Sequence, residues 1–139
     1  MALGTYSFKN VNAIFGVAEL EGFADGDDVI TVEPAADAFT KTVGAKGDVT
    51  RAASNDESVA ITMKFLQTSK SVPILQNLFL ADKATGNGVL PLLITNKATG
   101  ETYTVKNAWI MRQPTIARGQ GQNSYEVVFE GDVMLPVIL

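Results

Sequence analysis

The side chains with the most obvious capacity for chemistry are carboxylates, because the chain contains neither histidine nor cysteine. Glu130 and Asp132 are two positions apart, which on one strand face would put their carboxylates about 7 Å from each other. Inverting glycosidases use such a separation, with one carboxyl group buried so that its pKa is raised. The sequence offers no aromatic platform for a sugar beside this pair. A solvated strand face is therefore favoured, and a carboxylate hydrolase is the weakest of three functional alternatives.

Two other stretches suggest ion or phosphate binding but miss its requirements. Asp25-Gly26-Asp27-Asp28 lacks the ligand register of an EF-hand loop and predicts a tight turn. The glycine-rich range Gly119–Asn123 lacks the third glycine of a dinucleotide fingerprint and leads into a strand instead of a helix. Without histidine and cysteine, Ser-His-Asp and Cys-His catalysis and the usual zinc sites are excluded. We predict no catalytic residue, no cofactor and no metal.

Acidic residues are concentrated in two stretches that hold no lysine or arginine, between Lys9 and Lys41 and after Arg118. These stretches hold ten of the fifteen carboxylates: Glu19, Glu21, Asp25, Asp27, Asp28, Glu33, Asp37, Glu126, Glu130 and Asp132. Such segregation predicts a negative side on the folded protein, as in a subunit that meets copies of itself or repels a polyanion. The net charge of −4 also differs from the basic footprint of nucleic-acid binders.

Length and composition predict a single ordered domain over residues 1–139. Hydrophobic residues make up 46% of the chain, and no apolar run approaches the roughly 18–20 residues of a membrane span. Met1–Lys9 lacks the apolar stretch of a signal peptide. The absence of cysteine is typical of a protein folded in the cytoplasm.

Alternation of apolar and polar residues dominates the chain and indicates β-strands. One strand has the apolar face Val59, Ile61, Met63 and Phe65, and a later one has the apolar face Tyr125, Val127, Phe129, Val133 and Leu135. Within Thr102–Arg112 the apolar side holds Tyr103, Val105, Trp109 and Met111. Asn107 interrupts that side and predicts a bulge. Shorter strands are predicted at Thr5–Phe8, Val11–Val17, Asp28–Glu33, Ala38–Val43, Asp48–Ala52 and Val89–Thr95.

One segment has helical spacing, with its apolar residues at Ile74, Leu75, Leu78 and Phe79. It predicts a helix over residues 71–83, with Ser71 as the N-cap, Pro73 in the first turn and Gly86 beyond the end. Asn96–Gly100 predicts a hairpin turn. The predicted fold class is mainly all-β: a β-sandwich or barrel-like domain with one flanking α-helix and an extended β-hairpin arm.

The predicted arm covers residues 38–56. This segment is rich in threonine, alanine, serine, glycine and lysine, and Gly44–Gly47 provides its turn. A two-stranded ribbon with so little apolar surface is only marginally stable by itself in water. We therefore expect an arm that becomes ordered against another chain, the alternative being a floppy surface hairpin.

Several short stretches, taken in order, resemble one protein family. They are Gly4–Val17, Phe23–Asp28, Thr42–Arg51 with Ser54-Asn55-Asp56, Leu66–Ser69, Ala84-Thr85-Gly86 with Pro91–Ile94, and Ala108-Trp109-Ile110. On their order and spacing, the chain resembles the tail tube proteins of contractile-tailed bacteriophages over nearly its whole length. The Pro-Val-Ile-Leu ending lies outside this resemblance.

The resemblance implies a non-enzymatic structural protein of the virion, related in fold to secretion-system and pyocin tubes. Six copies are expected to close into a ring whose inner sheets join into a continuous barrel. Rings are expected to stack helically inside a contractile sheath, with a baseplate and a tail terminator at the ends. Duplex DNA would pass through the tube without specific binding, and assembly would take place in the host cytoplasm.

Two groups of residues become site candidates on this basis. Tubes of this family commonly have a negatively charged lumen, and the candidates for its lining are Glu126, Glu130 and Asp132. The arm should reach a neighbouring subunit and extend its sheet by edge pairing, and its basic residues should contact the acidic stretch of another copy. The candidates for that interface are Phe39, Lys41, Val43, Lys46, Val49 and Arg51 on the arm, and Glu19, Glu21, Asp25, Asp27 and Asp28 on the acceptor.

The second interpretation is a small ligand- or carbohydrate-binding β-sandwich module. It accounts for the fold class but not for the segregated charge or the polar arm. Electron microscopy separates the alternatives, since rings or filaments favour the tube protein and uniform monomers favour the module or the hydrolase.

Overall fold

A computed structural model describes residues 4–121 and 123–137. Within these ranges the chain forms one α-helix, α1 (Ser71–Thr85), one short 3-10 helix (Phe8–Asn10) and ten strands. The strands are β1 (Val11–Phe15), β2 (Ala18–Leu20), β3 (Ile30–Pro34), β4 (Phe39–Val43), β5 (Val49–Ala53), β6 (Val59–Leu66), β7 (Leu90–Asn96), β8 (Glu101–Ile110), β9 (Ser124–Gly131) and β10 (Met134–Val137). The mainly-β prediction with one helix is confirmed, although Phe8 begins the 3-10 turn instead of ending a strand.

The main sheet has the strand order β2-β1-β7-β8-β9-β6-β3, with β10 paired to β8, and all of these pairs are antiparallel. Alternate residues of β6 and β9 are buried as predicted, so the two strands contribute Val59, Ile61, Met63, Phe65, Tyr125, Val127 and Phe129 to the core. Phe15 of β1 packs edge-on against Phe129 across the interior, with ring centroids 5.0 Å apart. The sheet therefore curls around one core.

One continuous segment joins the two ends of this sheet. Its first part is β2, which pairs with β1, and its last part is β3, which pairs with β6. Between them Phe23 forms a bridge to Phe65 and stacks on its ring at 5.0 Å. The corner lies at Gly22, whose φ of 73° is in the left-handed region that favours glycine. The segment closes the sheet into a barrel-like shape.

Helix α1 is attached to this corner by two serines. Ser71 is the first helical residue and Lys70 is the N-cap, so the prediction of Ser71 as the cap is wrong. The Ser71 hydroxyl instead accepts a hydrogen bond from the Glu21 backbone N–H at 2.8 Å, and the Ser69 hydroxyl donates to the Glu21 carbonyl at 2.5 Å. The helix ends at Gly86, in the left-handed conformation of a C-terminal cap.

The apolar face of α1 is only partly buried. Leu75 is fully enclosed, and Leu78 and Phe79 pack against the core from partly buried positions. Ile74, which was predicted to belong to this face, is 43% exposed. The helix thus packs on the barrel through a narrow stripe and leaves an apolar outer side.

The predicted bulge near Asn107 is present and changes the side on which later residues lie. Leu92 pairs with Val105 but Leu90 pairs with Ala108, so β8 has one extra residue between these positions. Ala108 and Ile110 are buried as a result, whereas Trp109 is only half-buried and Met111 is exposed. The prediction that Trp109 and Met111 continue the core side of Val105 is wrong, because the bulge reverses the alternation.

The predicted long C-terminal strand is interrupted after Gly131. A Cβ on Gly131 would lie 2.2 Å from the Val105 Cγ1, so the Val105 side chain occupies the space that a side chain at this position would need. Beyond this point β10 pairs with β8, with Met134 packed against the core and Leu135 47% exposed. The prediction that Leu135 shares the inward face of β9 is wrong, and Ile138–Leu139 lie outside the described residues.

Candidate functional site

Two of the three predicted lumen carboxylates share one face of the barrel wall. Glu126 and Glu130 lie on β9 at positions that alternate with the buried Val127 and Phe129, so their side chains are on the outer surface. The partner of Glu126 on β6 is Lys64, and Glu130 lies between Ala60 of β6 and Trp109 of β8. An aromatic residue therefore does neighbour Glu130, which the sequence had not indicated.

Asp132 has a different setting, because β9 has already ended. Its carboxylate accepts hydrogen bonds from the Asn107 side-chain amide at 2.8 Å and from the Val133 backbone N–H at 2.7 Å. The bond from Asn107 is the largest cause of a lowered pKa for this carboxyl, so the residue is ionised at neutral pH. The structure thus separates Asp132 from the other two and gives it a structural role at the bulge.

The outer face of β3, β6 and β9 carries more negative than positive charge. Glu33 of β3 pairs with Ala60 on this face, in the same row as Glu130. The one cation among these strands, Lys64, forms an ion pair with Asp28 at 3.5 Å. Sequence reasoning assigned Glu33 only to an acidic block. Alternation within β3 could have placed Glu33 on the same outer face as Glu130, once the pairing of β3 with β6 was known.

The arm is a separate two-stranded sheet made of β4 and β5, and every residue of both strands is exposed. Its turn is closed by the Gly44 N–H to Asp48 carbonyl bond at 2.7 Å and the Gly47 N–H to Gly44 carbonyl bond at 3.0 Å. One face carries the cross-strand pairs Phe39–Ala53, Lys41–Arg51 and Val43–Val49, and the other carries threonine and alanine. The predicted arm residues thus lie together on one face, apart from Lys46 in the turn.

The predicted acceptor residues are divided between two places. Glu19 lies on β2, and Glu21 lies at the corner held by the α1 serines. Asp25 and Asp27 instead border an open cleft of about 490 Å³ at the unpaired side of β3, and Asp28 lies next to it in the ion pair with Lys64. The cleft is also lined by apolar and aromatic residues: Tyr6, Phe8, Val11, Val29, Ile30, Val32, Ile94 and Tyr103.

Neither a metal cluster nor a membrane helix is found in the part of the chain that the structure describes. No group of three or more carboxylate side chains there is arranged to hold a metal ion. The helix in that part is not long and apolar enough to cross a membrane.

Comparison with known protein families gives one match that covers most of the chain. Residues 3–134 match the family described as the bacteriophage PhiTE tail tube protein. The chain belongs to the PhiTE tail tube protein family. The family match contains the arm, the cleft and every candidate residue, and it stops before the Pro-Val-Ile-Leu ending that the sequence resemblance also left out.

Solved structures with the same fold come from contractile injection systems. A chain of the tube-terminating cap of the anti-feeding prophage aligns over 100% of this tail tube family member and 95% of its own length, with a TM-score of 0.61. Chains of the PVC extracellular contractile injection system align similarly. One is from its sheath/tube terminator (TM-score 0.66, 99% of each chain), and one is from its sheath–tube complex (TM-score 0.61, 97% and 93%). Sequence identity is 12% in all three, so they show the fold alone.

A search of curated proteins finds no match for the chain. Membership of the tail tube family therefore rests on the family match, and the likeness in fold agrees with it. The expected resemblance to a phage tail tube protein is confirmed.

Proposed function

We propose that this chain is a non-enzymatic structural subunit that closes into rings of six, which stack into a hollow tube through which the phage genome passes. Family membership over residues 3–134 supports a tail tube role. The observation that carries the assembly step is the arm, whose ten strand residues are all exposed and contribute nothing to the core of their own chain. An isolated two-stranded ribbon is only marginally stable in water, and packing against another copy would stabilise it.

The surrounding tail follows from the same proposal. A contractile sheath would enclose the tube, and a baseplate and a tail terminator would occupy its ends. The likeness in fold to chains of a PVC sheath–tube complex and a PVC sheath/tube terminator supports this placement. The assembled protein would be a virion component put together in the host cytoplasm.

The bore would be lined by the outer face of β3, β6 and β9, with Glu126 and Glu130 facing the DNA and Asp132 at its margin. Duplex DNA carries one negative charge per about 1.7 Å of axis, so every basic residue along a stacked bore would add a phosphate contact. A wall of carboxylates adds none and repels the duplex from the surface. The genome would remain mobile within the tube.

Electron microscopy of the purified chain tests the assembly. Rings or stacked tubes are expected, and uniform monomers at high protein concentration would reject the proposal. Removing the turn Gly44–Asp48 should leave a folded monomer that cannot polymerise, because the arm would no longer reach a second copy. Tubes of normal length from that variant would show that the arm is not needed.

The charge of the bore is tested with two double variants of the same positions. Tubes of Glu126→Lys/Glu130→Lys should retain short duplex DNA through a wash at low salt, and raised salt should release it. Tubes of Glu126→Gln/Glu130→Gln, which remove charge without reversing it, should retain much less. Equal retention by wild-type and lysine tubes would place this face away from the bore.

The cleft favours one alternative function, a small ligand-binding module. An opening of about 490 Å³ with Tyr6, Phe8 and Tyr103 around it falls in the size range of small-molecule sites. This alternative predicts a monomer that binds a small aromatic or sugar ligand at the cleft. The microscopy described above decides between a monomer and a tube.

A further inference from the structure

The charged side chains of the arm and the carboxylates of Asp25 and Asp27 form no ion pair within the described residues. Among residues 4–121 and 123–137, the only ion pair joins Lys64 and Asp28. Lys41 and Arg51 lie directly opposite each other on the arm, an arrangement that is unfavourable for two like charges. Arg51 finds some compensation by lying over the Phe39 ring at 4.2 Å. The arm face therefore presents two cations between apolar residues.

The cleft presents the opposite combination. Asp25 and Asp27 border an opening whose floor includes Ile30 and Val32 of β3. The side chains of Ile30 and Val32 are only partly buried. Tyr103 adds an aromatic surface. Aromatic and aliphatic side chains from a partner would be buried against this floor, and cations beside them would meet the two carboxylates. The arm face supplies both.

Backbone geometry makes β3 able to receive a further strand. On its paired side, the Val29 carbonyl accepts from the Lys64 N–H at 2.9 Å, and the Ala35 N–H donates to the Ser58 carbonyl at 2.9 Å. The backbone N–H and C=O groups of residues 29, 31, 33 and 35 therefore point toward β6, because the direction of these groups alternates along an antiparallel strand. Ile30 and Val32 direct their N–H and C=O groups to the unpaired edge of the sheet.

The arm has a matching edge. The Gly44 N–H donates to the Asp48 carbonyl at 2.7 Å, and the Ser54 N–H donates to the Ala38 carbonyl at 2.8 Å. These bonds show that Ala38 and Gly44 direct their backbone groups toward β5. By the same alternation, Phe39, Lys41 and Val43 direct their backbone groups away from β5. In antiparallel pairing these residues would lie opposite Ile30 or Val32. Directly opposed residues place their side chains on the same side of a sheet, so the apolar and basic face of the arm would point into the cleft.

We propose that the arm of one copy docks in the cleft of a second copy. Strand β4 adds to the free edge of β3, Phe39 is buried against the cleft floor, and Lys41 and Arg51 contact Asp25 and Asp27. This inference rests on the proposed tube function and deepens it, because it names the receiving site and the pairing edge. It leaves Glu19 and Glu21 outside the interface.

A charge-exchange experiment tests the docking. The arm variant Lys41→Glu/Arg51→Glu and the cleft variant Asp25→Lys/Asp27→Lys should each need a protein concentration at least about tenfold higher to form sedimentable tubes, because like charges then face each other. Each variant should still be a folded monomer that shows a cooperative thermal unfolding transition. An equal mixture should assemble as the wild type does, since every arm then finds a cleft of opposite charge. A mixture that stays monomeric would overturn the docking.

Cross-linking gives the second readout, and the cysteine-free chain makes it specific. Val43→Cys chains mixed with Val32→Cys chains should be joined by a short bismaleimide within tubes, and mass spectrometry should identify the linked peptides. Val43→Cys mixed with Ile74→Cys, on the outer side of α1, is the matched control and should give little product. A stronger product in the control, or no product between residues 43 and 32 within tubes, would contradict the docking.

The two proposals fail in different ways. If wild-type protein forms tubes while the mixed charge variants and the residue 43–32 link both fail, the cleft assignment is wrong and the tube function stands. If wild-type protein never assembles, both proposals are wrong.

Discussion

Replacing Gly22 with alanine should be among the most damaging single-methyl changes in the barrel. Gly22 forms the corner between β2 and β3 with a φ of 73°. An added Cβ would lie 2.6 Å from the Ser69 Oγ, 2.7 Å from its Cβ and 3.0 Å from its Cα. The serine backbone cannot move away easily, because Ser69 also holds Glu21 and leads directly into α1.

The expected cost combines three effects. An alanine in the left-handed region costs about 1–2 kcal/mol. Overpacking against Ser69 adds about 1–3 kcal/mol, and loss of the Ser69–Glu21 hydrogen bond adds about 1 kcal/mol. We therefore expect the free energy of unfolding to fall by about 4 kcal/mol. Gly86 has the same φ of 73° with no atom within 4 Å of an added Cβ, so Gly86→Ala should cost only the first of these.

Urea unfolding followed by the fluorescence of Trp109, the single tryptophan, measures both costs. Both substitutions are best placed in the chain that lacks Gly44–Asp48, so that assembly does not contribute to stability. The reasoning would be refuted if Gly22→Ala cost no more than Gly86→Ala, because the contact with Ser69 would then have no energetic weight.

Three further predictions concern the core and the bulge. Ser71→Ala should lower the free energy of unfolding by about 1–3 kcal/mol, because the Glu21 N–H would lose its acceptor; no change in urea midpoint would contradict this. Leu75→Ala should cost about 2–5 kcal/mol in the same assay, since Leu75 is fully buried. The Asp132 carboxyl, whose pKa is lowered chiefly by the Asn107 hydrogen bond, should titrate at higher pH in Asn107→Ala when followed by NMR. Its favourable contribution exists above the unfolded-state pKa and disappears as pH falls through the folded-state pKa; an unmoved midpoint would be the contrary result.

Local patterns predicted the elements whose burial is decided by their own residues. Val59, Ile61, Met63 and Phe65 alternate with polar neighbours, and that alternation is what a half-buried strand requires. Asn107 correctly marked a bulge because a polar side chain interrupted an apolar register. The arm was recognisable by composition, since its strands have no apolar face large enough for a core.

Features that depend on distant contacts were not predictable in this way. Ser71 resembles an N-cap locally, but its hydroxyl is bound to a residue 50 positions earlier. After Gly131, which lies against the Val105 side chain of another strand, the chain leaves β9 and pairs with β8, and Leu135 is exposed instead of buried. The cleft likewise combines Tyr6, from before β1, with residues of β3, β7 and β8, and no sequence spacing signals that combination.

Closure of the barrel by the continuous segment from β2 to β3 has a consequence for how fast the chain folds. The partners of this segment, β1 and β6, lie on opposite ends of the strand order, and β1 also needs β7 from much later in the chain. Pairings so far apart in sequence form slowly, on the millisecond to second scale of non-local β-proteins. A newly synthesised subunit would therefore expose the edge of β6 before β9, its partner from much later in the chain, is in place. Production at a modest rate would favour correct subunits over premature strand exchange between unfinished chains.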